Sequence, residues 1–414
     1  MNLLLIDHYA GSERMGMEYR PYYLAREWIS QGHRVTIAAA DFTHLRRENP
    51  VISEPTAWKE IEGVPYFLVQ TPPYEENDKR RIRNIWSFLR ALYRHAGEIA
   101  EKVSPQAVIA SSTYPLDIYA AAKIAKLSGA RLVFEVHDIH PETMEEIYGY
   151  PHSHPMMRAL RHAQVAAYKR ADLVVSVLPR VGEHMREAGI KEEKFVCIPN
   201  GISPVEEGLR EHKEPRRHME YIARYREKGY FIVMYAGGFA AANALDELVE
   251  AAGLVKRGTI FILVGNGMHK PPLKRWARQH NLSNVLFLDA VEHSQTQDIL
   301  SLADCLYLGA KPLQVYRYGI GMNKIFDYMY AAKPVICAVD APENPVELAG
   351  CGVLLKPGDP AEIAKSIDIL RGMAPEEREA MGKKGREYVL AHHTYPVLAR
   401  RFARELERIV KHET

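Results

Sequence analysis

Short apolar runs recur along the chain with longer mixed segments between them. In the first half they are "NLLLI", "HRVTIAAA", "PYFLVQ", "QAVIAS", "RLVFEV" and "DLVVSVL". Each is aliphatic or β-branched and has a strand's length, and the stretches between have helix-like periodicity. Strands apolar on both faces, alternating with helices, predict a mostly parallel sheet covered on both sides. Around "KFVCIPNGISPVEEG", residues 194 to 208, Pro199, Asn200, Gly201 and Pro204 read as a turn leading out of this unit. The pattern then restarts with "YFIVMYAGG", "IFILVGNG", "NVLFLDA", "DCLYLGA", "KPVICAV" and "GVLLKPGD". The expected fold is α/β, with two doubly wound, Rossmann-like domains over residues 1–198 and 199–391. Residues 394–412 read as a terminal helix with Leu398, Phe402, Leu406 and Ile409 on one stripe.

A chain of 414 residues suits two domains of roughly 200 residues better than one core. Apolar residues at 47% and charged residues at 26% fit a folded globular protein. A formal net charge of +2 gives no general reason to expect nucleic acid as a partner. Cys197, Cys305, Cys337 and Cys351 form no C-x-x-C pair, so a reducing, cytoplasmic setting is expected. "MNLLLIDHYAG" reads as a first strand rather than a signal peptide. With no run of about 18 apolar residues, any membrane contact would be peripheral, at the inner face of the cell membrane. Residues 78 to 102 supply a candidate helix, with Ile82, Ile85, Trp86, Leu89 and Leu92 on one stripe among Lys79, Arg80, Arg81, Arg83, Arg90 and Arg94. Two readings stand: a helix lying on an anionic membrane, or one packed on the sheet with a solvated basic side.

Four stretches could carry chemistry. In "GMNKIFDYMYAAKPV", Gly319 and Gly321 give backbone freedom, Asn323 is a plausible N-cap, and Lys324 and Asp327 are three apart, so they share a helix face. The helix end and Lys324 suit a diphosphate, and Asp327 suits a ribose diol; a dipole-favoured aspartate beside a solvated lysine is the plainer alternative. "YAGGFAAANALDELVEAA" ends a strand in Gly237 and Gly238 before a helix starting near Asn243 or Ala244, and "LVGNGMHK" repeats the device with Gly265, Asn266 and Gly267. Such glycines admit a ligand at the carboxyl end of a parallel strand or serve tight packing. "FEVHDIHPE" places His137 and Asp138 past a strand, and His137 is the main catalytic candidate against a purely structural histidine. A metal held by His137, His140 and Glu142 is disfavoured by Pro141 breaking the loop. The first loop, "DHYAGSERMGMEYRPYYLARE", carries Gly11, Gly16, Glu18 and Arg20 and would take a phosphate or an acceptor sugar, or be a flexible surface loop.

Taken in order, "DHYAGSERMGMEYRPYYLA", "EVHDIHPE", "IPNGIS", "YAGGFAAANALDELVEA", "LVGNG", "NKIFDYMYAAKPV" and "CGVLLKPGD" resemble the family 4 retaining glycosyltransferases. The nearest look is to bacterial transferases of surface polysaccharide, including those moving L-fucosamine in O-antigen synthesis. The resemblance implies the GT-B fold, two Rossmann-like domains facing across a cleft, with the terminal helix, residues 392–414, returning to the first. It implies a nucleotide sugar as partner, a UDP-sugar carrying a hexosyl or N-acetylaminosugar unit, bound by the second domain through Gly237, Gly238, Asn243, Gly265, Asn266, Gly319, Ile320, Asn323, Lys324 and Asp327. A lipid-linked or saccharide acceptor would meet the first domain at Gly11, Gly16, Glu18, Arg20 and Asp138. Asp327 takes the place of the second glutamate of the family's E-x7-E motif, His137 that of the histidine near the donor sugar, and Lys324 would contact the diphosphate. His137 and Lys324 are thus the implied catalytic residues.

Two departures stand out. Gly319 occupies the first glutamate's place, and "GGFAAAN" lacks the usual arginine and lysine. The implied reaction retains anomeric configuration, with the departing diphosphate stabilised by fixed positive charge. No Asp-x-Asp occurs, in keeping with transfer that needs no metal or other cofactor. A nucleotide-sugar 2-epimerase and a noncatalytic nucleotide-sugar-binding subunit are the rival readings. A nicotinamide oxidoreductase would want the G-x-G-x-x-G fingerprint that neither domain has.

Overall fold

The structure is a computed structural model that describes residues 1–75, 79–204 and 215–411. The part of the expected linker after Pro204, like Asp78 of the basic helix and the last three residues, lies outside them. The chain divides into two compact units, residues 1–203 with 395–414, and residues 204–394.

Unit 1 holds β1 (Asn2–Ile6), β2 (Arg34–Ala40), β3 (Thr56–Ile61), β4 (Val64–Val69), β5 (Ala107–Ala110), β6 (Arg131–Val136), β7 (Leu173–Ser176) and β8 (Phe195–Cys197). They form one sheet in the order β3-β4-β2-β1-β5-β6-β7-β8. Every neighbouring pair is parallel except β3 with β4. Leu3, Leu5, Ile37, Ile109, Val133 and Val175 are fully buried, as strands covered on both faces require. Strand β3 is not evident from the sequence, because "TAWKEI" sits at the sheet edge and keeps polar residues there. It joins β4 through Glu62 and Gly63, both at positive φ (47° and 78°), the backbone a tight hairpin asks for.

The basic stretch departs from expectation in two ways. It forms two helices, Lys79–Arg94 and Ala96–Val103. The first buries Asn84, Phe88, Leu89 and Leu92, while Ile82 and Trp86 point outward at 42% and 59% exposure. The stripe read from the sequence was therefore rotated: the inward face is centred on Phe88 and includes the polar Asn84, whose amide is taken up by Thr71, Pro72 and His8.

The terminal helix, Tyr395–Lys411, buries Leu398, Phe402 and Leu406 against the helix Arg20–Ser30. Trp28 Nε1 donates to Ala399 O at 3.0 Å, and its ring meets Phe402 edge-on at 5.2 Å.

Unit 2 holds β9 (Phe231–Ala236), β10 (Thr259–Val264), β11 (Val285–Leu288), β12 (Cys305–Gly309), β13 (Val335–Ala338) and β14 (Gly352–Leu355). The order is β11-β10-β9-β12-β13-β14, wholly parallel. Numbered within the unit this is 3-2-1-4-5-6, and the order reverses between β9 and β12. In unit 1 the matching reversal lies between β1 and β5. Doubly wound sheets bind ligands beyond the carboxyl ends of strands at such reversals.

Replacing Phe402 by alanine should lower the stability of unit 1 by roughly 3 to 5 kcal/mol, because a fully buried ring leaves a cavity against Trp28. Thermal unfolding followed by Trp fluorescence would check this, and an unchanged transition would mean the terminal helix contributes little to the unit.

Candidate functional site

At the carboxyl ends of β1, β5 and β6 unit 1 gathers an unusual number of buried ionisable groups. Asp7 follows β1, Ser111 follows β5, His137 follows β6, and Glu135 lies within β6 with 1% of its surface exposed. A carboxylate inside a covered strand needs a partner, and Arg20 supplies it. Its Nη2 and Nε donate to Glu135 Oε1 at 2.8 and 3.1 Å, and the rest of the guanidinium donates to Ile198 O, Pro199 O and Asn200 Oδ1. Arg20, expected to meet the acceptor, is thus fully committed to the fold.

Glu135 Oε2 accepts a 2.6 Å bond from Ser111 Oγ, which also lies 3.0 Å from His137 Nε2. Burial pushes the Glu135 carboxyl up, but Arg20, His137 and Ser111 more than offset it and hold it well below the usual range. Burial pulls His137 down, yet the Glu135 carboxylate outweighs it and the net shift is upward. Glu18 stands close enough to His137 and Asp138 to feel both charges, so the fold brings these three expected site residues together. Burial also raises Asp7 and Asp117 to about 7 each, and one Asp117 oxygen is buried without a hydrogen-bond partner.

The first loop is not a flexible surface loop. Gly11 N donates to Glu18 O, Tyr66 OH donates to Gly11 O, and Ser12 and Gly16 pair as in a sheet. A Cβ at Gly11 would fall 1.7 Å from Gly16 O, and Gly16 sits at φ +98°. These glycines serve close packing, leaving Glu18 and the exposed Asp138 as the loop-side groups able to reach a ligand. Glu142 turns to His184 and Arg161 rather than to His137. Among the described residues no three His, Cys, Asp or Glu side chains stand close enough to hold a metal ion.

In unit 2 the helix Lys324–Tyr330 starts beyond β12. Asn323 takes the N-cap position but its side chain makes no capping bond, and the Ile325 and Phe326 amides are already bonded to Met322 O and Asn323 O. The phosphate-binding amides expected there are therefore partly used, and in so short a helix the positive charge comes from Lys324 itself. Its stem runs over Gly237, where a Cβ would lie 2.6 Å from Lys324 Cδ. Its ammonium donates to Asn243 Oδ1 at 2.9 Å and Tyr235 OH at 3.3 Å, while Asn243 Nδ2 donates to Gly238 O at 2.7 Å. With no carboxylate paired to it among the described residues, burial lowers its pKa to about 8.

Asp327 does not join Lys324. It faces His293 and Gln297, with burial raising its pKa and those two opposing. Gly265 packs on Gly237 O, and Gly267 on the Phe239 backbone. Asn266 accepts from the buried Lys270, which also donates to Gly265 O, Leu288 O and Asp289. Lys270 thus pins the ends of β10 and β11, a role not evident from the sequence. Gly238 has open space where a Cβ would stand. The Ile320 side chain is buried, so only its backbone is available to a ligand.

A family model described as Glycosyltransferase Family 4 matches residues 15–206, and one described as Glycosyl transferases group 1 matches residues 230–371. The chain belongs to the family 4 glycosyltransferases. Sucrose-phosphate synthase (tll1590) from Thermosynechococcus elongatus has the same fold, with a TM-score of 0.71 at 16% identity over 98% of each chain. Anabaena Alr3699/HepE in complex with UDP-glucose gives 0.66 at 14% identity over 98% of this chain and 99% of that one. WaaG, a glycosyltransferase involved in lipopolysaccharide biosynthesis, gives 0.64 at 15% identity over 99% of this chain and 100% of that one. No match is found among curated proteins. This family 4 glycosyltransferase therefore has the two-domain, Rossmann-like GT-B fold.

Gly319, which the resemblance sets at the place of the family's first glutamate, follows the 3₁₀ turn Gln314–Tyr318 at φ 120°, where a glutamate would be strained.

Because the folded-state pKa of Asp117 is raised to about 7 from an unfolded value near 3.8, the folded state holds that proton more tightly. Its contribution to stability is complete at acid pH and is lost as pH rises through about 7. Asp117→Asn keeps an acceptor for Ser112 N without the charge, so it should raise Tm relative to wild type at pH 8 and by less at pH 5. Paired melting curves at the two values test this, and an equal effect at both would assign Asp117 an ordinary pKa.

Proposed function

We propose that this family 4 glycosyltransferase moves a hexosyl or N-acetylaminosugar unit from a UDP-sugar, with retention, to a lipid-linked or saccharide acceptor in bacterial surface polysaccharide synthesis. The observation that carries the reading is Lys324: an ammonium largely removed from water, held among the described residues by neutral oxygens alone, beside the end of β9 where the sheet order reverses. Such a charge suits an anion, and a diphosphate would meet Lys324 with the Gly238 backbone beside it. Asp327 would take the ribose hydroxyls, and Gly237, Gly238 and Asn243 would set the lysine in place. Lys324 then supplies the cation that the glycine loop lacks and stabilises the leaving diphosphate, while His137 acts on the transferred sugar and Glu18 and Asp138 receive the acceptor. UDP in the Anabaena Alr3699/HepE complexes supports the choice of nucleotide.

A peripheral contact with anionic membrane belongs to the same reading. The helix Lys79–Arg94 carries no acidic residue and exposes Ile82, Trp86 and Tyr93 alongside Lys79, Arg83, Arg90 and Arg94. An apolar strip beside a basic one suits the interface of acidic lipids. Among the described residues no helix is long and apolar enough to cross a membrane. Gly319 favours one second reading, a noncatalytic binding subunit, which would bind UDP-sugars yet transfer nothing.

Calorimetric titration with UDP should show binding that weakens by about tenfold or more in Lys324→Ala, as expected for loss of a charge-assisted contact. Absence of UDP binding to the wild type would overturn the donor site. Because the free lysine titrates near 8, UDP affinity should fall as pH rises through that value, since the bound form must keep the proton. This slope should vanish in Lys324→Ala, and a slope retained there would assign the titration to another group.

Vesicles containing phosphatidylglycerol should sediment the full chain, and Trp86→Ser with Arg83→Glu and Arg90→Glu should abolish this. Equal binding by the triple variant would remove that helix from the membrane contact.

A further inference from the structure

The hydrogen-bond geometry around His137 fixes more than its position. A serine hydroxyl has one proton to give. Ser111 Oγ lies 2.6 Å from Glu135 Oε2 and 3.0 Å from His137 Nε2. Glu135 is ionised beside Arg20, whose Nε and Nη2 both bond its other oxygen, so Oε2 can only accept. The serine proton therefore goes to Glu135, and Ser111 Oγ must accept from an Nε2–H of His137. That assigns the tautomer through chemistry: Nε2 carries a proton in both the neutral and the charged ring. Among the described residues Nδ1 makes no hydrogen bond, and it is not sealed off as the Nδ1 of His140 is.

We infer that Ser111 and Glu135, with Arg20 behind them, are positioning residues that lock His137 with Nε2–H inward and leave Nδ1 as the ring's working atom. Nδ1 would accept a hydrogen bond from a sugar hydroxyl when the ring is neutral and donate one to a sugar oxygen when it is charged. The assignment to a sugar rests on the transferase reading above; the tautomer does not. The charged and titratable groups facing the ring are Asp7 after β1, Glu18 and Arg20 from the first loop and its helix, Asp117 after β5, and Glu135 from β6, with Asp138 next to His137 in sequence. The carboxylates favour the cation and Arg20 opposes it.

The test is ¹⁵N NMR of the full chain labelled at histidine, from pH 6 to 9.5, with the His137 signals assigned by their loss in His137→Gln. The expected wild-type spectrum at high pH has a protonated-type Nε2 and an unprotonated-type Nδ1. Ser111→Ala keeps the Arg20–Glu135 pair and should shift both signals toward a mixture of tautomers. Glu135→Gln should lower the His137 pKa, because the carboxylate that favours the charged ring is gone. A wild-type ring protonated at Nδ1 in the neutral form would overturn the proposal without any variant. So would signals and titration left unmoved by Ser111→Ala in a sample with wild-type circular dichroism. UDP titration of the same samples reads the donor site separately, so failure to bind UDP would sink the transferase reading while the tautomer result stood.

Discussion

A parallel strand covered on both faces has nowhere to place charge except at its ends. That constraint organises both units. It keeps β9 and β10 free of charged residues and pushes Lys324, Asp327 and the glycine turns to the carboxyl edge. Unit 1 obeys it with one exception, Glu135 inside β6, and much of the local architecture follows from accommodating that carboxylate. Arg20 must come in from the helix that follows β1, the segment Ile198–Asn200 must lend its oxygens to Arg20, and Ser111 must turn its hydroxyl inward. A buried pair of this kind adds little net stability over apolar residues of the same volume, whereas removal of one member costs about 3 to 5 kcal/mol. Its value lies in geometry: it ties three segments distant in sequence to the side chain of His137.

The two units solve opposite electrostatic problems at their strand ends. In unit 1 negative charge is in excess, and Asp7 and Asp117 respond with raised pKa values while His137 is favoured as a cation. In unit 2 one ammonium is in deficit of partners, and its pKa drops. Clearance decides where that ammonium can go: without a hydrogen at the Gly237 α-carbon in place of a methyl, the lysine stem could not lie across the strand end. The glycine pair first read as room for a ligand is thus, at Gly237, room for the side chain that would hold one.

The apolar runs were enough to place nearly every strand, because covering by helices keeps a strand poor in the polar residues that would confuse its pattern. The edge strand β3 escaped for the converse reason: "TAWKEI" is half in solvent and looks like a loop. The face of the helix Lys79–Arg94 was misjudged because hydrophobicity cannot tell a buried Asn84 from an exposed Trp86; the hydrogen bonds of the asparagine decide it. Of the expected site residues, Glu18, His137 and Asp138 do converge, and Lys324 and Asn243 are bonded to each other. Glu135, Ser111, Asp7, Asp117 and Lys270 were passed over. A glutamate in the middle of "RLVFEV" was the one legible hint, since an acid in a covered strand must have a partner, but which arginine supplies it depends on long-range folding.

Gly319 has a consequence for how this chain can change. At φ 120° its backbone follows a path that residues with a Cβ rarely adopt, so a side chain at this position comes only with backbone strain. A glutamate introduced here would meet strain before it met a substrate. The position is therefore closed to drift by single steps: a side chain can enter only together with a rebuilt turn after Gln314–Tyr318, so substitutions that leave the fold intact fall elsewhere.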